Sequence, residues 1–208
     1  MILILIGKSA SGKDTILKRY LDDGFLHKIV SYTTRPKRVS EVNGIDYNFV
    51  SDSQFNEMER QGKFFQTRTY NTFDGDKPCV WKYGSDRVLN KNIHYGAIMD
   101  VQGAKDYIKE YGKENVFVVY VDAPKGLRKT RYMSRSGGEG FSEEKEWSRR
   151  AADDDIKFSD DNIKDIIDLR VDNSGSDIRD VIFNISYSFY DYIMRKKPNK
   201  ISERIIKK

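Results

Sequence analysis

The chain of 208 residues is poor in the groups that most often carry covalent or redox chemistry. It has one cysteine, Cys79, and two histidines, His27 and His94. A single cysteine excludes an intramolecular disulfide, so a reducing, cytoplasmic setting is expected. Long apolar runs are lacking too. The opening stretch Met1–Ile6 ends at Gly7-Lys8. It is too short for a signal peptide or a membrane span and reads as a buried strand. There are no internal repeats. A strong excess of one charge is also missing. Thirty-seven Lys and Arg against 32 Asp and Glu leave a net charge of +5. That excess is too modest to point to nucleic acid, but it suits an enzyme that gathers anionic phosphates.

What is present reads as an α/β chain. Hydrophobic residues make up 38% and charged residues 33%, with enough length for one domain carrying an inserted lobe. Apolar runs at Ile2–Ile6, Val116–Val121 and, more weakly, Tyr95–Val101 have the unbroken character of parallel strands covered on both faces. Helical stretches at Lys13–Leu21 and Gly103–Tyr111 alternate with them, which predicts a doubly wound parallel sheet. Residues 45–70 break this pattern. A strand-like Ile45–Val50, a short helix near Ser53–Gln61 and a strand-like Phe64–Tyr70 predict a small inserted α+β lobe. The segment Ser134–Glu146 holds three glycines among polar residues and is expected to be a mobile loop. A last helix is expected over Ser176–Met194, with Ile178, Val181, Ile182, Ile185, Phe189 and Ile193 as its apolar stripe. The tail Arg195–Lys208 carries seven Lys or Arg and reads as a solvated end.

The first chemical signal is Gly7-Lys8-Ser9-Ala10-Ser11-Gly12-Lys13-Asp14-Thr15, which directly follows the first strand and opens a helix. Its spacing is G-x-x-x-x-G-K. Gly7 and Gly12 permit tight turns that point successive N–H groups inward as an anion nest. The helix behind them aims its positive end at the same place. Lys13 is positioned to reach the β- and γ-phosphates of a bound nucleotide such as ATP. A Ser or Thr normally follows this lysine to ligate Mg²⁺, but here Asp14 does and Thr15 comes next. Two readings stay open: Asp14 serves the metal, or Thr15 supplies the hydroxyl.

The second signal is Ser31-Tyr-Thr-Thr-Arg35-Pro-Lys-Arg38-Val-Ser-Glu-Val-Asn-Gly44-Ile-Asp-Tyr47-Asn-Phe. Two arginines three apart offer forks for phosphate oxygens, and Tyr47 offers a hydroxyl donor. This stretch resembles the guanylate kinase family, whose members carry S-x-T-T-R-x-x-R-x-x-E-x-x-G-x-D-Y-x-F at this distance from the phosphate loop. The resemblance is dense over residues 1–66 and looser to about 194. It implies a single domain over 1–194 with a P-loop NTP hydrolase-like fold, a parallel sheet with helices on both faces. The core would comprise 1–32, 86–130 and 157–194, with an acceptor-binding α+β lobe at 33–85 and a mobile lid at 131–156. It also implies transfer of phosphate from ATP, with Mg²⁺, to a nucleoside monophosphate, GMP or dGMP. By the same resemblance Arg35, Arg38, Tyr47 and Tyr83 grip the acceptor phosphate, and Ser31 and Ser85 face the base. Asp100 lies near base and metal. Arg131 and Arg135 match lid arginines, Arg149 or Arg150 matches a third, and Asn173 lies near the adenine.

Three departures accompany the resemblance. Gln66 stands where the family usually has Glu. A carboxamide has one acceptor oxygen and a donor NH₂, so a guanine edge would lose a charge-assisted bond, at about 1–3 kcal/mol, and an adenine-like edge becomes pairable. Ile98 replaces an acid two residues before Asp100, for which Asp14 offers a substitute carboxylate. The stretch between Gln66 and Tyr83 is also longer than usual, as either a pocket-shaping loop or a surface hairpin. Two alternatives follow. One is the same transfer to a different acceptor, such as a modified deoxynucleotide or a phosphorylated sugar. The other is a non-catalytic binding module, against which the intact Lys13 loop argues. No histidine or cysteine is needed by this chemistry, so His27, His94 and Cys79 are expected to be structural.

Overall fold

The structure is a computed structural model that describes residues 1–39, 41–74, 77–87, 90, 92–135, 141–175 and 177–196. It divides into two compact units, one of residues 1–27 with 94–208 and one of residues 28–93.

In the first unit, strand β1 (Ile2–Ile6) is buried at every position. Helix α1 (Lys13–Asp22) follows it after the glycine turn, and the short strand β2 (His27–Lys28) comes next. In the second unit come β3 (Tyr32–Thr33), β4 (Asn48–Phe49), helix α2 (Asp52–Arg60) and the long strands β5 (Phe64–Asp74) and β6 (Lys77–Asp86). The chain then returns to the first unit through β7 (Tyr95–Ile98), α3 (Val101–Tyr111), β8 (Val116–Asp122), α4 (Lys125–Arg135), α5 (Phe141–Lys157), α6 (Asp160–Ile163), β9 (Leu169–Asp172) and α7 (Ile178–Lys196).

The first sheet has the order β2-β7-β1-β8-β9, and β1 pairs in parallel with both β7 and β8. The strand period of two sends Leu3 and Leu5 to one face, where they pack with Ile16, Leu17 and Tyr20 of α1 and Val181, Ile185 and Phe189 of α7. Ile2, Ile4 and Ile6 point the other way and are equally buried. A strand covered on both sides has no polar face, hence the unbroken apolar run. Helix α7 ends two residues later than expected, and Arg195 and Lys196 belong to it. The rest of the basic tail lies outside the described residues.

The second unit holds a four-stranded sheet of order β4-β3-β6-β5. Helix α2 starts at a capping box in which Ser51 and Gln54 exchange side-chain and backbone bonds. It buries Phe55 completely, with its ring 4.8 Å from that of Phe64. Two expectations are corrected here. The strand expected over Ile45–Val50 is only Asn48–Phe49. Residues 45–47 form a turn whose backbone bonds return to Val42 and Gly44. The long stretch after Gln66 is a paired ribbon, with β5 and β6 in antiparallel register from Gln66↔Ser85 to Asp74↔Lys77. The strand expected over Phe64–Tyr70 therefore runs on to Asp74 as one side of that ribbon. A third correction falls in the first unit. Of the loop expected over 134–146, Ser134 and Arg135 close α4 and residues 141–146 open α5. Residues 136–140 lie outside the described residues.

Candidate functional site

The phosphate loop departs from ordinary backbone geometry where a close approach demands it. A Cβ on Gly7 would sit 2.4 Å from the carbonyl oxygen of Val121. One on Gly12 would sit 2.2 Å from Asn173 Nδ2, and Gly12 itself has φ 101°, a region that favours glycine. Gly12 is the N-cap of α1 and makes no side-chain cap bond. No N-cap side chain therefore covers the first N–H groups of α1, the geometry of an anion-accepting helix start.

Lys13 folds back over this loop, and its Nζ donates to the carbonyls of Gly7 at 2.7 Å and Lys8 at 2.9 Å and to Ser11 Oγ at 3.3 Å. Burial pushes its ammonium down to about 8, against the opposing pull of Asp14 and Asp154. Asp14 and Thr15 lie exposed in the first turn of α1.

Several side chains hold the loop in shape. Asn173, at the end of β9, is buried and donates from Nδ2 to the Ser11 carbonyl at 2.8 Å. Arg131 donates to the same carbonyl at 3.4 Å and to that of Asn173 at 3.0 Å. The resemblance implies Asn173 near the adenine and Arg131 in the lid; in the structure both side chains bond the Ser11 carbonyl and so brace the phosphate loop. Two braces escape sequence reasoning. Arg128 is buried and bonds the carbonyls of Ala123 at 3.1 Å and Ser9 at 3.3 Å. Asp154 accepts from the Ser9 N–H at 2.6 Å and pairs with Arg128 at 3.8 Å. Arg128 lies one helical turn before Arg131, a spacing that could have flagged it.

Arg135, at the end of α4, is exposed and donates to the Arg131 carbonyl. Its charge acts on Lys13. Arg149 and Arg150 are instead bound to Glu146 along α5, and the bond from Arg149 leads in holding that carboxyl down to about 2. Asp100 caps α3 by accepting from the Gly103 N–H at 2.6 Å.

Within the second unit, one sheet face carries the other expected group. Arg35 is 6% exposed and donates to Glu41 Oε1 at 2.6 Å and to the Pro36 carbonyl at 2.9 Å. Its guanidinium lies 5.5 Å from the centre of the Tyr47 ring, and Tyr47 meets Tyr83 edge-on at 5.8 Å. The bond from Arg35 holds the Glu41 carboxyl below its ordinary value. The second Glu41 oxygen accepts the Arg38 backbone N–H at 2.8 Å, and the Arg38 side chain is exposed. Glu41 thus shapes the loop that presents both arginines.

Further along the same face lie Ser31, Ser85 and Gln66. Ser31 Oγ and Ser85 Oγ are 3.3 Å apart, and Gln66 Nε2 donates to Ser85 Oγ at 3.1 Å. A β-bulge creates this contact. The register slips between Phe64↔Asp86 and Gln66↔Ser85. Without that extra residue Phe65 would stand opposite Ser85, and Gln66 would point to the other face.

A glycine-bounded anion nest after a buried parallel strand, with a lysine folded into it, defines a P-loop phosphotransferase. The guanylate kinase family profile matches residues 1–168. A guanylate kinase of Clostridioides difficile (strain 630) is 32% identical over 191 residues, covering 88% of this chain and 86% of the relative. One of Wolbachia sp. subsp. Brugia malayi is 30% identical over 192 residues, covering 84% and 96%. The chain belongs to the guanylate kinase family and is a nucleoside monophosphate kinase. Its fold matches the crystal structure of guanylate kinase from Anaplasma phagocytophilum with a TM-score of 0.61 at 20% identity, over 96% of this chain and 87% of that one. No helix among the described residues is long and apolar enough to cross a membrane.

Proposed function

We propose that this chain transfers the γ-phosphoryl group of ATP to GMP or dGMP. The observation that carries the proposal is the second unit's sheet face. It has a cationic, phenolic end at Arg35, Tyr47 and Tyr83 and an uncharged polar end at Ser31, Ser85 and Gln66. Such a face has the polarity of a nucleoside monophosphate, phosphate at one end and base at the other.

Transfer between two nucleotides needs no covalent enzyme intermediate, so its barrier falls through positioning and charge neutralisation. Gly7–Lys13 hold the donor phosphates. Arg35, Arg38, Tyr47 and Tyr83 hold the acceptor phosphate in line. Arg131, Arg135 and Arg149 or Arg150 neutralise charge on the moving group. Residues 131–156 act as the lid that keeps water from the donor. Asp14 fits a divalent cation as a hard oxygen ligand, being exposed in the first turn of α1 beside Lys13, and Asp100 is a second carboxylate in the same unit. Among the described residues no three acidic, histidine or cysteine side chains cluster as a metal cage. Mg²⁺ is commonly held by one or two carboxylates together with substrate phosphates, a role open to Asp14 and Asp100. When bound, Mg²⁺ held there would supply charge neutralisation to the donor phosphates.

The test is a panel of ribo- and deoxynucleoside monophosphates offered with ATP and Mg²⁺, with ADP release followed. The expected result is a kcat/KM for GMP or dGMP well above every other acceptor. A different preferred acceptor overturns the proposal. Arg35→Gln should raise the acceptor KM at least tenfold with ATP affinity unchanged.

A further inference from the structure

We propose that Arg68 sets base selectivity by fixing which way the Gln66 amide points, an inference that rests on GMP being the acceptor. Arg68 is two residues beyond Gln66 on β5 and so shares its face. Its Nη2 lies 3.2 Å from Gln66 Oε1, and its Nη1 donates to the Thr67 carbonyl at 3.2 Å, which anchors the guanidinium. The other end of the amide, Nε2, meets Ser85 Oγ at 3.1 Å.

The two neighbours are chemically unequal. A hydroxyl donates or accepts, so Ser85 accommodates either end of the amide. A guanidinium only donates, so the atom facing Arg68 has to be oxygen. Arg68 alone therefore distinguishes the two orientations, which differ by a 180° flip.

That orientation is what a purine reads. The guanine edge places a donor, N1–H, beside an acceptor, O6. The adenine edge places an acceptor, N1, beside a donor, N6–H₂. An amide pairs with either edge, but for a base held in one pose it needs opposite orientations for the two. A carboxylate has no orientation to choose; it accepts from both adjacent guanine donors, N1–H and N2–H₂, whereas adenine offers it one donor beside the repelling acceptor N1. A carboxamide at this position needs a second residue to reject adenine, and Arg68 is the group in contact that can do so. The rejection is built from a mispaired alternative rather than from an added contact to guanine. Arg68 is a positioning residue, since it acts through Gln66.

The experiment compares kcat/KM for GMP and AMP in the wild type, Arg68→Met, Arg68→Lys, Gln66→Glu and Gln66→Glu/Arg68→Met, with thermal melts as a folding control. Arg68→Leu repeats the test if Arg68→Met does not fold. In Arg68→Met the AMP-to-GMP ratio should rise about tenfold, the value of a lost amide-to-base discrimination. The rise should come from a gain in AMP turnover as well as a loss for GMP. Arg68→Lys, which keeps a donor-only group, should restore the wild-type ratio. In the Gln66→Glu background Arg68→Met should leave the ratio unmoved. A merely structural role predicts equal losses for both nucleotides and no dependence on residue 66, and that result overturns the inference. Absence of turnover with both GMP and dGMP in the wild type overturns the functional reading and this inference together. GMP turnover with an unchanged ratio in Arg68→Met overturns the inference alone.

Discussion

Lys13 carries its charge in a buried place, and that has a measurable consequence. Its ammonium titrates near 8 in the protein, below its ordinary 10.5, mainly because it is desolvated. A bound triphosphate favours the charged form and raises that value again. Between about pH 8 and pH 10 the bound state therefore holds more protons than the unbound one. ATP binding at pH 8.5 should take up protons, seen by calorimetry as a heat that changes with the ionisation enthalpy of the buffer. Lys13→Met should remove the dependence and cut kcat/KM about 10³-fold, the scale seen when a preorganised charge donor is lost. Glu41 makes a second case. It is 14% exposed on the side chain and bonds both Arg35 and the Arg38 N–H. Glu41→Gln keeps the shape and loses the charge, so it should cost about 2 kcal/mol of stability and raise the acceptor KM. At this scale the sequence was legible where a residue's role follows from its neighbours in the chain. Gly7, Gly12, Lys13 and Arg35 lie where the motif spacings put them. Asp154 was not legible, because only the fold brings the distant Ser9 N–H to it, whereas Arg128, one helical turn before Arg131, and Arg68, two residues beyond Gln66, carry local spacings that could have flagged them.

Elements divide along similar lines. Buried parallel strands declared themselves as apolar runs because both faces are covered, and β1 and β8 fall within one residue of expectation. Strands of two residues, such as β3 and β4, are too short for any period to register. The glycines at 137, 138 and 140 made 134–146 read as loop, yet α5 begins at Phe141 with Glu143 and Glu144 in its first turn, where acids complement the helix dipole. The β5–β6 ribbon yields a prediction of its own. Its register continues to Asp74↔Lys77, and Tyr70 lies against Tyr83, ring to ring, at 5.5 Å. Replacing residues 73–78 by a two-residue Asn-Gly turn should leave the GMP KM within about threefold, because such a turn suits a tight hairpin. Tyr70→Ala should raise it more than the shortening does. In the phosphate loop, Gly12→Ala should cost about 3 kcal/mol, from the positive φ and the collision with Asn173, and should abolish nucleotide binding.

For the whole molecule, ATP should behave as a stabiliser of the folded chain. At a hundred times its dissociation constant it adds about 2.7 kcal/mol, which should raise Tm by roughly 5–10 °C for a chain of this size. Lys13→Met should show no such shift. The most direct test of the proposed transfer follows the phosphorus itself. Incubate the protein with Mg²⁺, GMP and ATP labelled at the γ-phosphate, then separate the products. The account predicts label in GDP, in proportion to the ADP formed. Label that appears only in inorganic phosphate, with GMP unchanged, would contradict it.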